Sequence, residues 1–142
     1  MPEDIPIKLA PGAEDIGLAV MLEQLLIQNL EQNPHKIRDF KKLNIGVGLD
    51  VTDVGISLTM DFTGGLLTLY PGIKDSPKLT ITTESDIIMA LSNQKIKWGL
   101  PYYFDETGQE IMQAMKSGRL KLKGMVRYFI SLVRLSRVMS VH

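Results

Sequence analysis

Two hydrophobic periods divide the chain. Between Ala13 and Glu31, Leu18, Leu22, Leu25, Leu26 and Leu30 recur at helical spacing, which predicts a helix with Glu14 and Asp15 at its positive end. Asn33-Pro34 marks a stop and a restart. Asn33 is expected as an N-cap and Pro34 at the first position of a short second helix reaching about Lys42. From Asn44 the period becomes two. Ile45, Val47, Leu49 and Val51 alternate with Gly46, Gly48 and Asp50. After a turn at Asp53, the residues Val54, Ile56, Leu58, Met60 and Phe62 alternate with Gly55, Ser57, Thr59 and Asp61. Gly64-Gly65 is a two-residue hairpin signal leading into Leu66 to Tyr70, with a stop at Pro71-Gly72. Lys78 to Thr83 and Arg119 to Lys123 complete the strands. Each has one apolar and one polar face, so the expected fold is α+β: a five-stranded, mostly antiparallel sheet with helices packed on one face.

The remaining elements follow from caps and breaks. Thr83 and Asp86 are spaced as a capping box for a helix to about Ser92. A further helix, Thr107 to Lys116, presents Ile111, Met112 and Met115 on one face and ends at Ser117-Gly118. From Met125 to Met139 apolar residues fill nearly every position, and Arg127, Ser131 and Arg134 form one narrow stripe of a final helix. Such a helix needs apolar matter around most of its circumference, whether the protein's own core, a bound lipid or a membrane surface. Residues 1–12 hold three prolines and read as an irregular lead-in to a single domain spanning 1–142.

Composition narrows the function classes. A 142-residue chain that is 44% hydrophobic suits one folded domain able to bury about two-thirds of its surface. The absence of cysteine removes disulfides, thiolate metal sites and a cysteine nucleophile. The opening MPEDIPIKLAPG has neither a basic n-region nor an apolar h-region, and the apolar runs are short and broken by charge. A cytoplasmic protein without a membrane span is therefore expected. Net charge is zero but uneven. After Glu110 no acidic residue occurs, whereas Lys116, Arg119, Lys121, Lys123, Arg127, Arg134 and Arg137 do. This basic tail either meets anionic headgroups or a phosphate-bearing ligand, or is balanced within the fold by the acidic N-terminal half. Nucleic acid is not expected, because the cations lack interleaved stacking aromatics.

Catalytic motifs are missing. There is no G-x-S-x-G, H-E-x-x-H, Walker A or G-x-G-x-x-G, and His35 beside Lys36 reads as a surface residue. Asp50, Asp53 and Asp61 read as solvated carboxylates, so no metal and no cofactor is expected. Gly46-Val47-Gly48 suggests a flat or bulged spot where another backbone or a ligand comes close. Residues 95 to 110, KIKWGLPYYFDETGQE, break the periodicity and hold the only Trp, Trp98, with Tyr102, Tyr103 and Phe104. This is either a lid over an apolar site or a plug at the core edge. Met60, Met89, Met112, Met115, Met125 and Met139 lie on core-facing elements, as core filler or as the adaptable lining of a cavity.

The segments KLTITTESDIIMAL (Lys78 to Leu91) and MKSGRLKLKG (Met115 to Gly124), in this order within about residues 38 to 140, resemble the sterol carrier protein type 2 family of nonspecific lipid-transfer proteins. In that family a strand runs into a capped helix, and a Gly-basic-Leu-Lys-Leu-x-Gly strand precedes the last helix. The resemblance implies an apolar tunnel that takes a sterol, fatty acid, fatty acyl-CoA or phospholipid, with no covalent chemistry. The chain departs from the pattern in its aromatic loop, in its basic last helix and in ending Ser140-Val141-His142 without a peroxisomal tail. Within this picture, inward phase makes Met60, Phe62, Trp98, Tyr103, Phe104, Met112, Met115, Met125, Phe129 and Val133 the expected lipid-binding lining. Arg127 and Arg134 are expected to receive a carboxylate or phosphate at the mouth. The expected partners are a lipid or fatty acyl-CoA ligand and an anionic membrane surface. The alternative is an interaction module that dimerises through the last helix and the aromatic loop.

Overall fold

The computed structural model describes residues 6–74, 77–93, 96–97, 100–101 and 104–140, with backbone alone at 96–97 and 100–101. The fold is α+β. Among the described residues eight strands form, β1 (Ile7–Leu9), β2 (Asn44–Val51), β3 (Ile56–Thr63), β4 (Leu67–Pro71), β5 (Leu79–Thr83), β6 (Ile96–Lys97), β7 (Leu100–Pro101) and β8 (Lys121–Lys123). Five α-helices accompany them among the described residues, α1 (Gly17–Gln32), α2 (Ile37–Lys42), α3 (Ser85–Asn93), α4 (Glu106–Ser117) and α5 (Phe129–Met139). The main sheet runs β1-β4-β3-β2-β5-β8, and β6 with β7 makes a separate two-stranded ribbon within the aromatic segment.

Two features of the sheet differ from the expectation of five mostly antiparallel strands. It has six strands, because Ile7–Leu9 of the supposed lead-in pairs with β4. It is also mixed, since β1 with β4 and β2 with β5 are parallel, while β2–β3, β3–β4 and β5–β8 are antiparallel. A three-residue strand set among prolines carries no readable alternation, and pairing direction leaves no local mark. The hairpin at Gly64-Gly65 forms as expected: both glycines have positive φ, and Thr63 and Leu66 exchange backbone hydrogen bonds across it.

Register turns the alternation into two faces. Val47 lies opposite Met60 and Leu79, Leu49 opposite Leu58 and Ile81, and Ile81 opposite Leu122, giving one apolar face. The other face carries Asp50, Ser57, Thr59, Asp61, Thr80 and Thr82. There Gly48 lets Ile73 and Pro77 lie against the backbone; an added Cβ would stand 2.9 Å from the Pro77 ring. The buried side chains fall into two groups. The larger joins β2, β3 and β4 to α1, α2 and α5 through residues such as Leu22, Leu26, Phe40, Val47, Leu58 and Val138. The smaller joins α3 and α4 through Ile87, Ala90, Ile111, Ala114 and Leu120.

Helix boundaries are set by side chains from elsewhere in the chain. The helix expected from Ala13 is a 3-10 turn at Ala13–Asp15 followed by α1, and Asn33 makes no side-chain cap; its amide donates back to the Asn29 carbonyl. The capping box expected of Thr83 and Asp86 is replaced. Asp53, in the β2–β3 turn, accepts from both the Ser85 amide (2.9 Å) and the Ser85 hydroxyl (2.6 Å). Glu84 and Asp86 instead share Arg119, at 2.6 and 2.8 Å. The last helix begins at Phe129, not Met125: residues 124–128 form a turn behind Gly124, whose φ is +87° and whose added Cβ would meet the Lys78 carbonyl. The far end of α5 is held by buried donors. The Asn29 amide donates to the carbonyls of Val138 (3.2 Å) and Met139 (3.1 Å), the buried Lys36 ammonium donates to the Ser140 carbonyl, and Arg137 pairs with Asp39 at 2.9 Å.

Asn29→Ala strands the carbonyls of Val138 and Met139 in a buried place, so a loss of about 1–3 kcal/mol is expected, read as a lower urea midpoint at unchanged slope. The Asp53 carboxyl is held below its usual 3.8, chiefly by the Ser85 hydroxyl. A depressed carboxyl stabilises the fold fully above 3.8, and that contribution fades as pH falls through the folded-state value. Asp53→Asn should therefore be less stable than the wild type at neutral pH and converge with it in strongly acidic solution. Urea midpoints measured for both proteins across that range check this.

Candidate functional site

The two groups of buried side chains do not meet along their whole length. Between them lies a cavity of about 360 Å³. Its floor is the apolar face of the sheet at Leu49, Met60, Ile81 and Leu122, a set that register brings together from four strands. One wall is Ile88 and Leu91 of α3 with Ile111 and Met115 of α4, closed below by Leu120. The opposite wall is α5, which turns Phe129, Leu132, Val133, Leu135, Ser136 and Met139 toward it, with Met125 from the preceding turn. The spacing 129, 132, 133, 136 is one face of a helix, so the long apolar run of the sequence here serves one side.

Among the described residues no charged side chain lines the cavity, and the one polar residue there, Ser136, donates its hydroxyl to the Leu132 carbonyl at 3.0 Å. The described lining accordingly holds no titratable side chain, and among the described residues no three His, Asp or Glu side chains gather as metal ligands. What such a space does physically is remove apolar surface from water, at about 25 cal/mol per Å². Its volume sits at the small end of the ~300–1,000 Å³ spanned by ligand pockets.

Among the described residues Phe129 is the one member of the lining that is exposed, at 54%, and so marks where the cavity comes nearest to solvent. Around it Val126 is 88% and Ile130 66% exposed. Lys121, Lys123 and Arg127 are exposed in the same stretch, Lys78 approaches the Tyr128 ring at 5.8 Å, and Arg127 lies at the same distance from that ring.

Of the residues expected to line a lipid site, Met60, Met115, Met125, Phe129 and Val133 border this cavity. Phe62 does not: one pair further along β3, it sits among Ile45, Leu67 and Phe40, its ring edge-on to Phe40 at 6.1 Å. Met112 is half-buried on α4 outside the lining, and Phe104 is 82% exposed just before that helix. Trp98 and Tyr103 lie outside the described residues, as does Tyr102. Neither Arg127 nor Arg134 borders the cavity: Arg127 is in the turn between Met125 and Phe129, and Arg134 is half-buried on the face of α5 that carries Ile130 and Arg137. Unforeseen lining comes mainly from leucines and isoleucines. Leu49, Ile81 and Leu122 were inward by phase alone, and pairing register was the signal that would have joined them.

No protein-family model matches the chain, and no curated protein sequence does either. Solved structures do. The UbiJ-SCP2 ubiquinone synthesis protein superposes with a TM-score of 0.60 at 13% identity, over 89% of this chain and 98% of that one. The sterol carrier protein domain 2 of Helicoverpa armigera gives 0.59 at 16% identity, over 91% and 92%. The inverting sec-alkylsulfatase Pisa1 from a Pseudomonas species gives 0.55 at 12% identity, over 84% of this chain but 15% of that enzyme. At such identities what is shared is the path of the backbone: the chain has the sterol carrier protein 2 fold.

Proposed function

We propose that the protein binds an apolar lipid in the cavity between its two core groups and carries it without covalent chemistry. The observation that supports this most is the lining itself, which among the described residues is apolar except for Ser136, whose hydroxyl is already bonded to the Leu132 carbonyl. The shared fold of proteins named as sterol carriers agrees with it. A sterol, a fatty acid or the acyl part of an acyl-CoA fits this chemistry. Burying about ten methylenes at roughly 0.8 kcal/mol each gives ~8 kcal/mol before ordering costs, hence micromolar affinity with little selectivity.

The ligand's polar end would stay at the opening beside Phe129. Arg127, between two lining residues, is the better placed of the two arginines to receive a carboxylate or phosphate there; Arg134 would need to act from the outer side of α5. No helix among the described residues is long and apolar enough to cross a membrane, which suits a carrier working from the cytoplasm. Dimerisation along α5 is not favoured, because Val133, Leu135 and Val138 point into the protein and leave only the first turn outside.

Mass spectrometry of organic extracts of the purified protein should find a lipid, and a fluorescent fatty acid should saturate the stripped protein with a rise in Tm. At a ligand concentration about a hundredfold above Kd the gain is ~2.7 kcal/mol. Val133→Trp puts an indole into the cavity and should reduce uptake about tenfold or more while leaving Tm unchanged or higher. An empty protein that neither takes up the probe nor shifts in Tm would overturn the reading.

A further inference from the structure

We infer that the turn leading into α5 is a docking wedge for anionic phospholipid bilayers, with Val126 and Ile130 as its inserted side chains. The inference rests on the lipid-carrier reading, and adds to it the surface from which ligand enters and leaves.

Val126 and Ile130 are the most exposed branched aliphatic side chains of the described residues, at 88% and 66%. Val126 lies in the turn and Ile130 in the first turn of α5, with the half-exposed Phe129 beside Ile130, so the exposed apolar side chains are gathered in one short stretch, the projection, and not scattered. Neither borders the cavity, so ligand packing inside does not explain them. Phe129 is common to both places: it forms the rim on one side and joins the projection on the other.

The charge around the projection selects the partner. Lys121, Lys123 and Arg127 are exposed near it in sequence, and Lys78 joins them through Tyr128. None of the four pairs with a carboxylate among the described residues, whereas Arg119 is consumed by Glu84 and Asp86 and Arg137 by Asp39. No acidic residue follows Glu110 anywhere in the chain. Exposed apolar side chains with the exposed Arg127 among them, and with Lys78, Lys121 and Lys123 in or beside the adjoining strands, match a surface that offers acyl chains below and phosphate or carboxylate charge above. Interfacial segments of this composition sink about 5–10 Å, and each cation near an anionic leaflet strengthens binding roughly fivefold.

The local backbone permits this without cost to the core. The first turn of α5 has no side-chain cap at Tyr128, while the far end of the helix is held by Asn29 and Lys36. Docking at the free end would set the opening beside Phe129 against the acyl layer, so that a ligand moves from bilayer to cavity without crossing water.

The test is flotation of the full-length protein with phosphatidylcholine vesicles, with and without phosphatidylserine. Binding is expected with phosphatidylserine, weakening as salt rises. The double variant V126S/I130S should bind about tenfold less or worse. K123Q/R127Q should lose binding to the anionic vesicles and no longer respond to salt. Uptake of a fluorescent fatty acid from solution should be unchanged in V126S/I130S, because neither position borders the cavity. Vesicle binding that depends on these residues supports docking even in a protein that takes up no fatty acid, an outcome that would remove only the carrier reading. Equal binding by V126S/I130S, or none by the wild type, overturns docking. So does light scattering that finds a dimer dispersed by V126S/I130S, since a second copy would then cover the projection.

Discussion

The carbonyls that end α5 cannot be satisfied within the helix, and in a buried position each would cost about 1–3 kcal/mol if left alone. Asn29 and Lys36 satisfy those of Val138, Met139 and Ser140 from α1 and the turn before α2. Burial lowers the Lys36 ammonium from its usual 10.5 and Asp39 draws it back up, a balance suited to a cation placed at the negative end of a helix. The consequence reaches beyond the clamp. Because these directional bonds fix where α5 lies, the helix does not need to close-pack against α3 and α4 to be stable, and the space between can stay open.

That space is expensive to leave empty. At roughly 24 cal/mol per Å³, a sealed void of 360 Å³ would cost about 9 kcal/mol, comparable to the whole net stability of ~5–15 kcal/mol typical of a domain. Access past Phe129 reduces that figure but not its sign. Methionines suit such a wall. Met60, Met115, Met125 and Met139 come from four separate segments, and their unbranched thioethers adapt their packing to an irregular space more readily than leucines do.

Much of this was legible in the residues, and what was not has physical causes. Period-two alternation in β2 and β3 marked the inward face residue by residue, and the positive-φ pair Gly64-Gly65 marked its hairpin. Strand β1 escaped notice because three residues cannot display a period, and its parallel partner β4 begins sixty residues later in the chain, at Leu67. The apolar run begins at Met125, four residues before α5 does, and does not reveal that the chain must first turn behind Gly124. Asp53 as the cap of α3 was likewise invisible, being a tertiary contact across 32 positions. For the cavity, inward phase picked out Met60, Met115 and Val133, yet the same phase admitted Phe62, which register carries to the filled side of the sheet. Periodicity tells which side a residue faces; only pairing tells what it faces.

One consequence follows from Gly124. No side chain would fit between it and the Lys78 carbonyl, so the chain passes close against the segment entering β5 there, while Asn29 and Lys36 hold it near Ser140. Between those two piers the polypeptide is a beam, and its underside from Met125 to Ser136 belongs to the chamber. The volume of the space is thus set by those side chains, and the architecture around it by the two supports.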